Sequence, residues 1–270
     1  MSRLTDAALI TALAAGMALP AGGAIARSAS DGLRRDAGTA QTQTGGAAYG
    51  ADRPVFGHRA FKVKTTVSFT SEYVFRGQQR AKHSAQGGLE IATGGFYAGG
   101  WAIVPTKDRF DAYQTEIDLY GGYGFDLTGT LYADIGVNGY IFNAPQLLFA
   151  NRDSVEMYGG LSLSAPFSPS LYGFYDFRTR AATIEGALEY SLPFGRTDLV
   201  SSATGGYTSG RGFSYGYFQA DEELVHHFNR RVSLGLGGHW AISGNRRFLK
   251  GLTASQNNST WYGITLKANN

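Results

Sequence analysis

Hydrophobic and polar side chains alternate one by one along residues 62–76. One set is mainly apolar or hydroxylated and consists of Val63, Thr65, Val67, Phe69, Ser71, Tyr73 and Phe75. The set between them is polar apart from one valine and consists of Lys64, Thr66, Ser68, Thr70, Glu72, Val74 and Arg76. Because successive side chains of a β-strand point to opposite faces, this period of two predicts a long strand with one apolar and one polar face.

The same period recurs along the rest of the chain and predicts about twelve strands. Their predicted positions are 62–76, 85–92, 96–104, 113–125, 130–141, 155–164, 170–178, 183–192, 199–208, 213–225, 231–242 and 259–267. No apolar run among them is long enough for a membrane-spanning helix. The pattern therefore predicts an all-β fold, a transmembrane antiparallel up-and-down β-barrel that is apolar outside and polar inside.

The segments between the predicted strands alternate between compact and long. The compact ones contain the Gly, Pro, Asp and Asn of tight turns and lie at 93–95, 126–129, 165–169, 193–198 and 226–230. The longer ones lie at 77–84, 105–112, 142–154 and 243–258, although the connectors near Arg180 and Gly210 are short. Short turns at one end and longer loops at the other are typical of outer-membrane barrels, whose even strand number puts both chain ends on one side.

The longer connectors concentrate positive charge. Their basic residues are Arg80, Lys82, Lys107, Arg109, Arg152, Arg246, Arg247 and Lys250. Loops of this charge would be attracted to the phosphates of a lipopolysaccharide leaflet, and solvated loops account for the same residues equally well. The predicted location is the bacterial outer membrane, with its lipid and lipopolysaccharide as partners.

Two segments precede the first strand. Residues 1–26 combine a basic start, an apolar run from Ala7 to Leu19 and the small residues Ala24-Ile-Ala26, which predicts a signal peptide cleaved after Ala26. Residues 27–60 are rich in Ala, Gly, Thr, Gln and Ser, and too poor in large apolar side chains to offset their ordering entropy. They are predicted to be a flexible periplasmic segment rather than a plug, which leaves the barrel to residues 61–270.

Composition agrees with a closed β architecture. The 270 residues include 38 Gly, 16 Tyr and 17 Phe, while charged residues make up only 17%. Glycine relieves crowding between strands, and aromatic side chains fill faces and interfaces. The absence of Cys excludes disulfides and thiolate metal sites, and a net charge of +3 is too small to indicate a nucleic-acid partner.

The two faces of the strands assign side chains to lipid or to lumen. The predicted lipid face consists of Val67, Phe69, Ile117, Leu119, Leu131, Ile135, Val137, Val155, Leu161, Leu163, Ile184, Leu188, Leu234, Leu236, Ile264 and Leu266. The predicted pore-lining set consists of Glu72, Arg76, Glu90, Glu116, Asp118, Asp134, Glu156, Asp176, Arg178, Glu185 and Glu189. A carboxylate facing hydrocarbon is costly, so charge determines the register together with apolarity.

Carboxylates outnumber basic residues in that pore-lining set, which favours cations over anions if the lumen is open. The alternative is that Arg76 and Arg178 pair with neighbouring carboxylates and fill the interior. A barrel of about twelve strands is intermediate between filled eight-stranded barrels and wide sixteen-stranded channels. The prediction is a narrow, partly occluded pore.

Several segments resemble one family. They are Ser68-Phe-Thr-Ser-Glu-Tyr-Val-Phe-Arg-Gly77, Ala85-Gln-Gly-Gly-Leu-Glu90, Gly95-Phe-Tyr-Ala-Gly-Gly-Trp101, Glu116-Ile-Asp-Leu-Tyr-Gly-Gly-Tyr123 and, more loosely, Val155–Gly160 and Ile184–Tyr190. They resemble the TorF-type porin family, also catalogued as conserved hypothetical outer-membrane proteins of the Gcw_chp type. The resemblance implies an outer-membrane β-barrel without a settled substrate, and it supplies no catalytic residues to assign to this chain. One departure is the C-terminal Leu266-Lys-Ala-Asn-Asn270, where such barrels commonly place the aromatic residue that barrel assembly machinery recognises.

Motifs for other chemistry are weak. Gly212-Phe-Ser214-Tyr-Gly216 has the spacing of a hydrolase nucleophile elbow, but it lies within a predicted strand and not in a strand–turn–helix context. His226 and His227 would point to opposite faces of a strand and could not share a metal. His239 is predicted to be a lumen or interface residue. No cofactor motif is present, so no cofactor, metal site or catalytic residue is predicted.

Three functions remain open from the sequence. The leading hypothesis is a non-enzymatic, passive outer-membrane channel for small polar solutes or ions with a cation preference. The second is an outer-membrane lipid-modifying enzyme, which needs a serine, a histidine and a carboxylate together near one rim. The third is a secreted soluble β-sandwich that binds carbohydrate.

Overall fold

A computed structural model describes residues 61–107, 115–142, 153–244 and 258–270. The predicted signal peptide and the predicted periplasmic segment lie outside the described residues. So do five of the basic loop residues named above, Arg109, Arg152, Arg246, Arg247 and Lys250. In the described part of the chain, no helix is long and apolar enough to cross a membrane.

Twelve strands close into one antiparallel barrel, as the alternation predicted. The barrel strands are β1 (Lys62–Thr70), β4 (His83–Thr93), β5 (Phe96–Lys107), β6 (Glu116–Asp126), β7 (Leu131–Phe142), β8 (Ser154–Leu163), β9 (Ser170–Asp176), β10 (Ala181–Phe194), β11 (Thr197–Gly210), β12 (Phe213–His227), β13 (Val232–Ser243) and β14 (Asn258–Asn269). Each pairs with its neighbours in sequence, and β1 closes the ring by pairing with β14, for example Val67 with Leu266. Because the sheet closes on itself, the sandwich alternative is wrong.

The side chains follow the predicted division into two faces. The predicted lipid-face residues are exposed, apart from Leu131 and Leu234, which are half-buried. The alternate positions carry polar and tyrosine side chains that are mostly buried inside the ring, such as Glu116 and Asp118 on β6. A shift of one residue would put these carboxylates on the apolar outside, so the register is strongly specified.

The two ends of the barrel differ. We call the end that holds Phe61 and Asn270 the turn end, and its connectors are the short segments 94–95, 127–130, 164–169, 195–196 and 228–231. The opposite end, the loop end, holds the described connectors 71–82, 177–180 and 211–212, together with the ends of β5, β7 and β13 and the beginnings of β6, β8 and β14. At the turn end the Asn270 side chain donates to the Phe61 carbonyl (3.1 Å) and accepts from the Val63 amide (3.1 Å), which ties the two ends of the barrel segment together.

The predicted strand over 62–76 is wrong in its second half. β1 ends at Thr70, and the chain then forms two short strands, β2 (Tyr73–Phe75) and β3 (Gln78–Ala81), which pair with each other and not with the barrel. The turn between them is Arg76–Gly77, and both residues have positive φ angles, 48° and 72°. Two consecutive left-handed residues are the geometry of a two-residue hairpin turn, for which Gly is favoured at the second position.

Candidate functional site

The hairpin formed by residues 72–82, called the inward hairpin below, lies inside the loop half of the barrel. Val74 is fully buried in a cluster with Ala241 on β13 and Trp261 on β14. Tyr73 is buried on the other side in a cluster with Ile103 of β5, against which Trp101 and Phe142 also pack. The hairpin therefore contacts wall strands on both of its sides, and its apolar side chains are buried against the wall inside the barrel and do not face lipid.

The tip of the inward hairpin is held by a buried ion pair. The Arg76 guanidinium donates to both carboxylate oxygens of Glu156 on β8, from Nη1 at 2.8 Å and from Nη2 at 3.0 Å. Its Cζ atom lies 4.7 Å from the ring centre of Phe174 on β9 and 4.9 Å from that of Phe75. The Tyr140 hydroxyl on β7 donates to the same carboxylate at 3.0 Å. A two-pronged, ring-covered pair away from water is among the stronger polar contacts in proteins.

Gly77 packs tightly against the wall beyond the tip. A Cβ atom at this position would lie 2.6 Å from the Tyr217 Cβ, 2.9 Å from the Ile242 carbonyl oxygen and 3.1 Å from the Ser243 Cβ. Only glycine fits a positive φ angle and this backbone approach together. The hairpin thus reaches β12 and β13 as well as β8 within the loop half of the lumen.

Two weaker contacts hold the base of the inward hairpin. Lys82 Nζ donates to Glu72 Oε1 at 2.6 Å, in a partly exposed pair that joins the beginning and the end of the hairpin. The Tyr73 hydroxyl donates to Glu116 Oε2 on β6 at 3.2 Å. Partly exposed ion pairs add little stability because water screens them, so the buried tip dominates the polar docking of the hairpin.

The predicted pore-lining residues fall into three groups. Buried inside the barrel are Arg76, Glu116, Asp118, Asp134, Glu156 and Glu185. Half-buried are Glu72, Glu90, Asp176 and Glu189. The prediction for Arg178 is wrong in its element, because β9 ends at Asp176 and Arg178 is an exposed residue of the following turn. That turn forms because the Asp176 carboxylate accepts hydrogen bonds from the Arg178 and Thr179 amides at 2.9 and 2.7 Å.

Tyrosine hydroxyls donate to most of the buried carboxylates in the predicted pore-lining set. Tyr97 donates to Asp134 at 2.8 Å and also contacts the Tyr158 hydroxyl, while Tyr120 donates to Glu90 at 3.0 Å. Tyr217 donates to Glu185. The arginine pairing weighed as an alternative thus applies to Arg76, whereas phenols fill much of the remaining interior.

Asp118 differs from these carboxylates. It is fully buried, no described N–H or O–H donor bonds either of its oxygens, and its side-chain neighbour is another carboxylate, that of Glu116. Buried polar groups are normally satisfied by protein, water or a ligand, so this part of the wall is equipped to bind something polar.

An acidic group on β12 was missed from the sequence. Asp221 accepts from Gln219 Nε2 (3.0 Å) and Ser202 Oγ (3.1 Å), and His239 Nδ1 lies 2.8 Å from it. Glu223 is also buried and lines a cavity of about 20 Å³ next to His239, which has room for about one water molecule. The alternation from Tyr215 to Val225 carried the signal, because every second residue of that run is buried.

The comparisons place this barrel among known proteins. The family model described as "Bacterial protein of unknown function (Gcw_chp)" matches residues 57–219, more than half of the chain. The chain belongs to the Gcw_chp family. A search of curated proteins found no match.

Solved structures share the fold of this Gcw_chp protein. The structure titled "KdgM porin" is 8% identical with a TM-score of 0.51, covering 77% of this chain and 98% of that one. The structure titled "KdgM porin in complex with disordered oligogalacturonate" is 8% identical with a TM-score of 0.50, and it also covers 77% of this chain and 98% of that one. A NanC porin structure gives 10% identity and a TM-score of 0.47, over 77% of this chain and 99% of that one. At such identities the likeness shows the fold alone.

The Gcw_chp match covers β1 to β11 and the first part of β12. It includes the inward hairpin, Glu116, Asp118 and Glu156, and it ends at Gln219, before Asp221 and His239. The segment Ser68–Gly77, on which the resemblance to this family was based, runs from β1 to the hairpin tip. Part of the sequence resemblance to the family therefore lies in residues of the inward hairpin.

The motifs set aside above occupy ordinary places in this Gcw_chp barrel. Ser214 lies in β12 with no helix after it, so the context of a nucleophile elbow is missing. His226 is exposed and bonds Thr197, whereas His227 points inward and lies 2.9 Å from Asp198, which confirms their opposite faces. His239 is a lumen residue. No cluster of metal-ligating side chains occurs within the described ranges.

Proposed function

We propose that this Gcw_chp protein is a bacterial outer-membrane, porin-like channel for the passive diffusion of small polar solutes or ions. The carrying observation is a closed barrel with an apolar exterior and a lumen rich in buried carboxylates. Within this proposal the loop end faces the outside and lipopolysaccharide, the turn end faces the periplasm, and barrel assembly machinery inserts the chain. The finer TorF-type name also stays a prediction.

The charges inside the barrel support a cation preference. The inward carboxylates include eight of the predicted set and three further ones on β11 and β12: Glu90, Glu116, Asp118, Asp134, Glu156, Asp176, Glu185, Glu189, Asp198, Asp221 and Glu223. Among the side chains that the structure describes, the lysines at inward strand positions are Lys62, Lys64 and Lys267, and all three lie near the turn end. KdgM was solved with oligogalacturonate, a polyanion. A polyanion would be repelled by the lumen of this chain, so we propose cations or neutral polar solutes instead.

The inward hairpin makes the proposed channel narrow. It occupies the loop half of the lumen and contacts β5, β6, β8, β12, β13 and β14. A low unitary conductance is therefore expected in the wild-type protein.

Planar-bilayer recording tests the function. With a KCl gradient across the bilayer, the reversal potential should have the sign of a cation-selective pore. A variant in which Thr70 is joined to His83 by a short Gly-Asn turn should conduct several times more, because Thr70 and Ser84 are already register partners across the β1–β4 pair. No conductance from either protein, or an anion-selective reversal potential, would refute the proposal.

A further inference from the structure

The pocket around Glu156 is built to hold a guanidinium group. Its wall contributes the Glu156 carboxylate, the Tyr140 hydroxyl that donates to it, and the Phe174 ring against which the Arg76 guanidinium lies. Glu156 is 1% exposed and Arg76 is 6% exposed. Every wall component belongs to β7, β8 or β9, which are strands of the closed barrel and not part of the inward hairpin.

We propose that this pocket is a binding site for a guanidinium or alkylammonium group of a diffusing solute, and that Arg76 is a tethered occupant which such a solute displaces. Displacement frees the hairpin tip and widens the loop half of the lumen. The widening rests on the proposed channel function, whereas the binding itself does not.

The chemistry of the pocket selects planar cations. Two carboxylate oxygens receive two parallel N–H groups, a geometry that a guanidinium matches and a single ammonium matches less well. The aromatic face adds attraction for a cation and none for an anion. A neutral molecule of the same shape can reproduce the hydrogen bonds but not the charge.

Asp118 supplies a second carboxylate beside the pocket, to which no described donor is bonded. Both of its oxygens are buried, and the carboxylates of Glu116 and, less strongly, Glu156 repel it electrostatically. A solute with a second positive group would relieve that repulsion. The site should therefore bind a dication such as agmatine more tightly than methylguanidinium.

The tethered arginine is held in a conformation that invites exchange. Arg76 has a φ angle of 48°, which a residue with a Cβ adopts at an energetic cost. The hairpin strands have only three and four residues, and an isolated two-stranded hairpin is marginally stable. The ion pair with Glu156 therefore offsets strain at the tip, and a competing cation removes that compensation.

Calorimetric titration of the refolded barrel in detergent tests binding without any conductance measurement. The probe is methylguanidinium, and N-methylurea is its neutral control of similar shape. Arg76→Ala should bind methylguanidinium at least tenfold more tightly than wild type, because the tethered competitor is gone. The double variant with Arg76→Ala and Glu156→Gln should bind methylguanidinium at least tenfold more weakly than Arg76→Ala alone. N-methylurea should bind none of these proteins measurably.

Asp118→Asn, added to Arg76→Ala, tests the second group. It should weaken agmatine binding while leaving methylguanidinium binding within twofold. Equal losses for both ligands would show that Asp118 acts only by shaping the pocket, and would overturn its assignment to the site.

Heat-modifiable gel migration shows first which variants are folded, and Arg76→Gln replaces Arg76→Ala if the latter does not fold. The inference is overturned if a folded Arg76 variant binds methylguanidinium no more tightly than the same variant with Glu156→Gln added. If the variants bind methylguanidinium as expected but the protein conducts no ions, the binding site is supported and the channel function is refuted. Failure of the site and failure of the channel can therefore be distinguished.

Discussion

At the scale of single residues, Gly77 and Arg76 together determine where the hairpin tip lies. Gly77 permits the left-handed turn and the approach to Tyr217, and Arg76 then meets Glu156. Glu156 is buried, so its charge would be uncompensated without the guanidinium, and breaking a buried pair in this way typically costs about 3–5 kcal/mol. Gly77 therefore determines the position of the hairpin tip sterically, and Arg76 determines it electrostatically.

Gly77→Ala tests the steric part, with Gly212→Ala as a matched control. Both glycines have positive φ angles, 72° and 86°, but a Cβ at Gly212 meets nothing within 4 Å. Each substitution introduces about 1–2 kcal/mol of left-handed strain, and only Gly77→Ala adds the clash with β12 and β13. Single-channel recording should show a several-fold rise in conductance for Gly77→Ala and none for Gly212→Ala. Equal conductances would contradict the placement of the tip.

At the scale of elements, the inward hairpin is the connection between β1 and β4, folded into the barrel. It makes no backbone ladder with the barrel and is held by side chains, chiefly Val74 against Ala241 and Trp261 and Arg76 against Glu156. The barrel ladder closes through β1, β4 and β14 independently of it. Docking and barrel stability should therefore be separable in experiment.

A disulfide between Val74→Cys and Ala241→Cys tests this separation. Both residues are fully buried in one cluster, and the chain contains no other cysteine. Oxidation should fix the hairpin against β13 and lower the conductance below that of wild type, and dithiothreitol should restore it. Each single-cysteine variant serves as a control that should not respond. If the disulfide forms, as judged by gel migration, and conductance is unchanged, the hairpin does not control the passage.

At the scale of the whole molecule, burial of charge inside and apolarity outside determine the register of the twelve strands. Glu222 departs from this rule. In the strand interiors that the structure describes, it is the one Asp, Glu, Lys or Arg on the outward face, between Ala220 and Leu224 on β12. The Ser201 hydroxyl on β11 donates to it at 2.7 Å, which satisfies only part of a carboxylate.

Glu222→Leu should stabilise the barrel in a bilayer. A lipid-facing Arg or Lys at the midplane costs about 2–4 kcal/mol and an acidic residue less, so the expected gain is up to about 2 kcal/mol. Denaturant unfolding from lipid vesicles measures it, and Leu224→Glu is the reverse control that should destabilise. A loss of stability in Glu222→Leu would mean that this carboxylate has a compensating partner in the membrane.

The sequence by itself determined the number and approximate positions of the twelve barrel strands. Side chains of a strand alternate with a period of two, and a charge facing hydrocarbon is costly, so the pattern records both the strand and its faces. The inward set from Glu116 to Glu189 followed from that rule, and the same rule applied to residues 215–225 would also have identified Asp221 and Glu223.

Only the tertiary structure decided what the second half of the first alternating stretch does. The alternation continues through the hairpin, so a period of two cannot distinguish a strand between lipid and lumen from a hairpin buried on both faces. The partner of Arg76 lies on β8, and its distance in sequence leaves no local signal. Closure of the barrel brings the two together, and it thereby turns a predicted lumen charge into the contact that holds the inward hairpin against the wall.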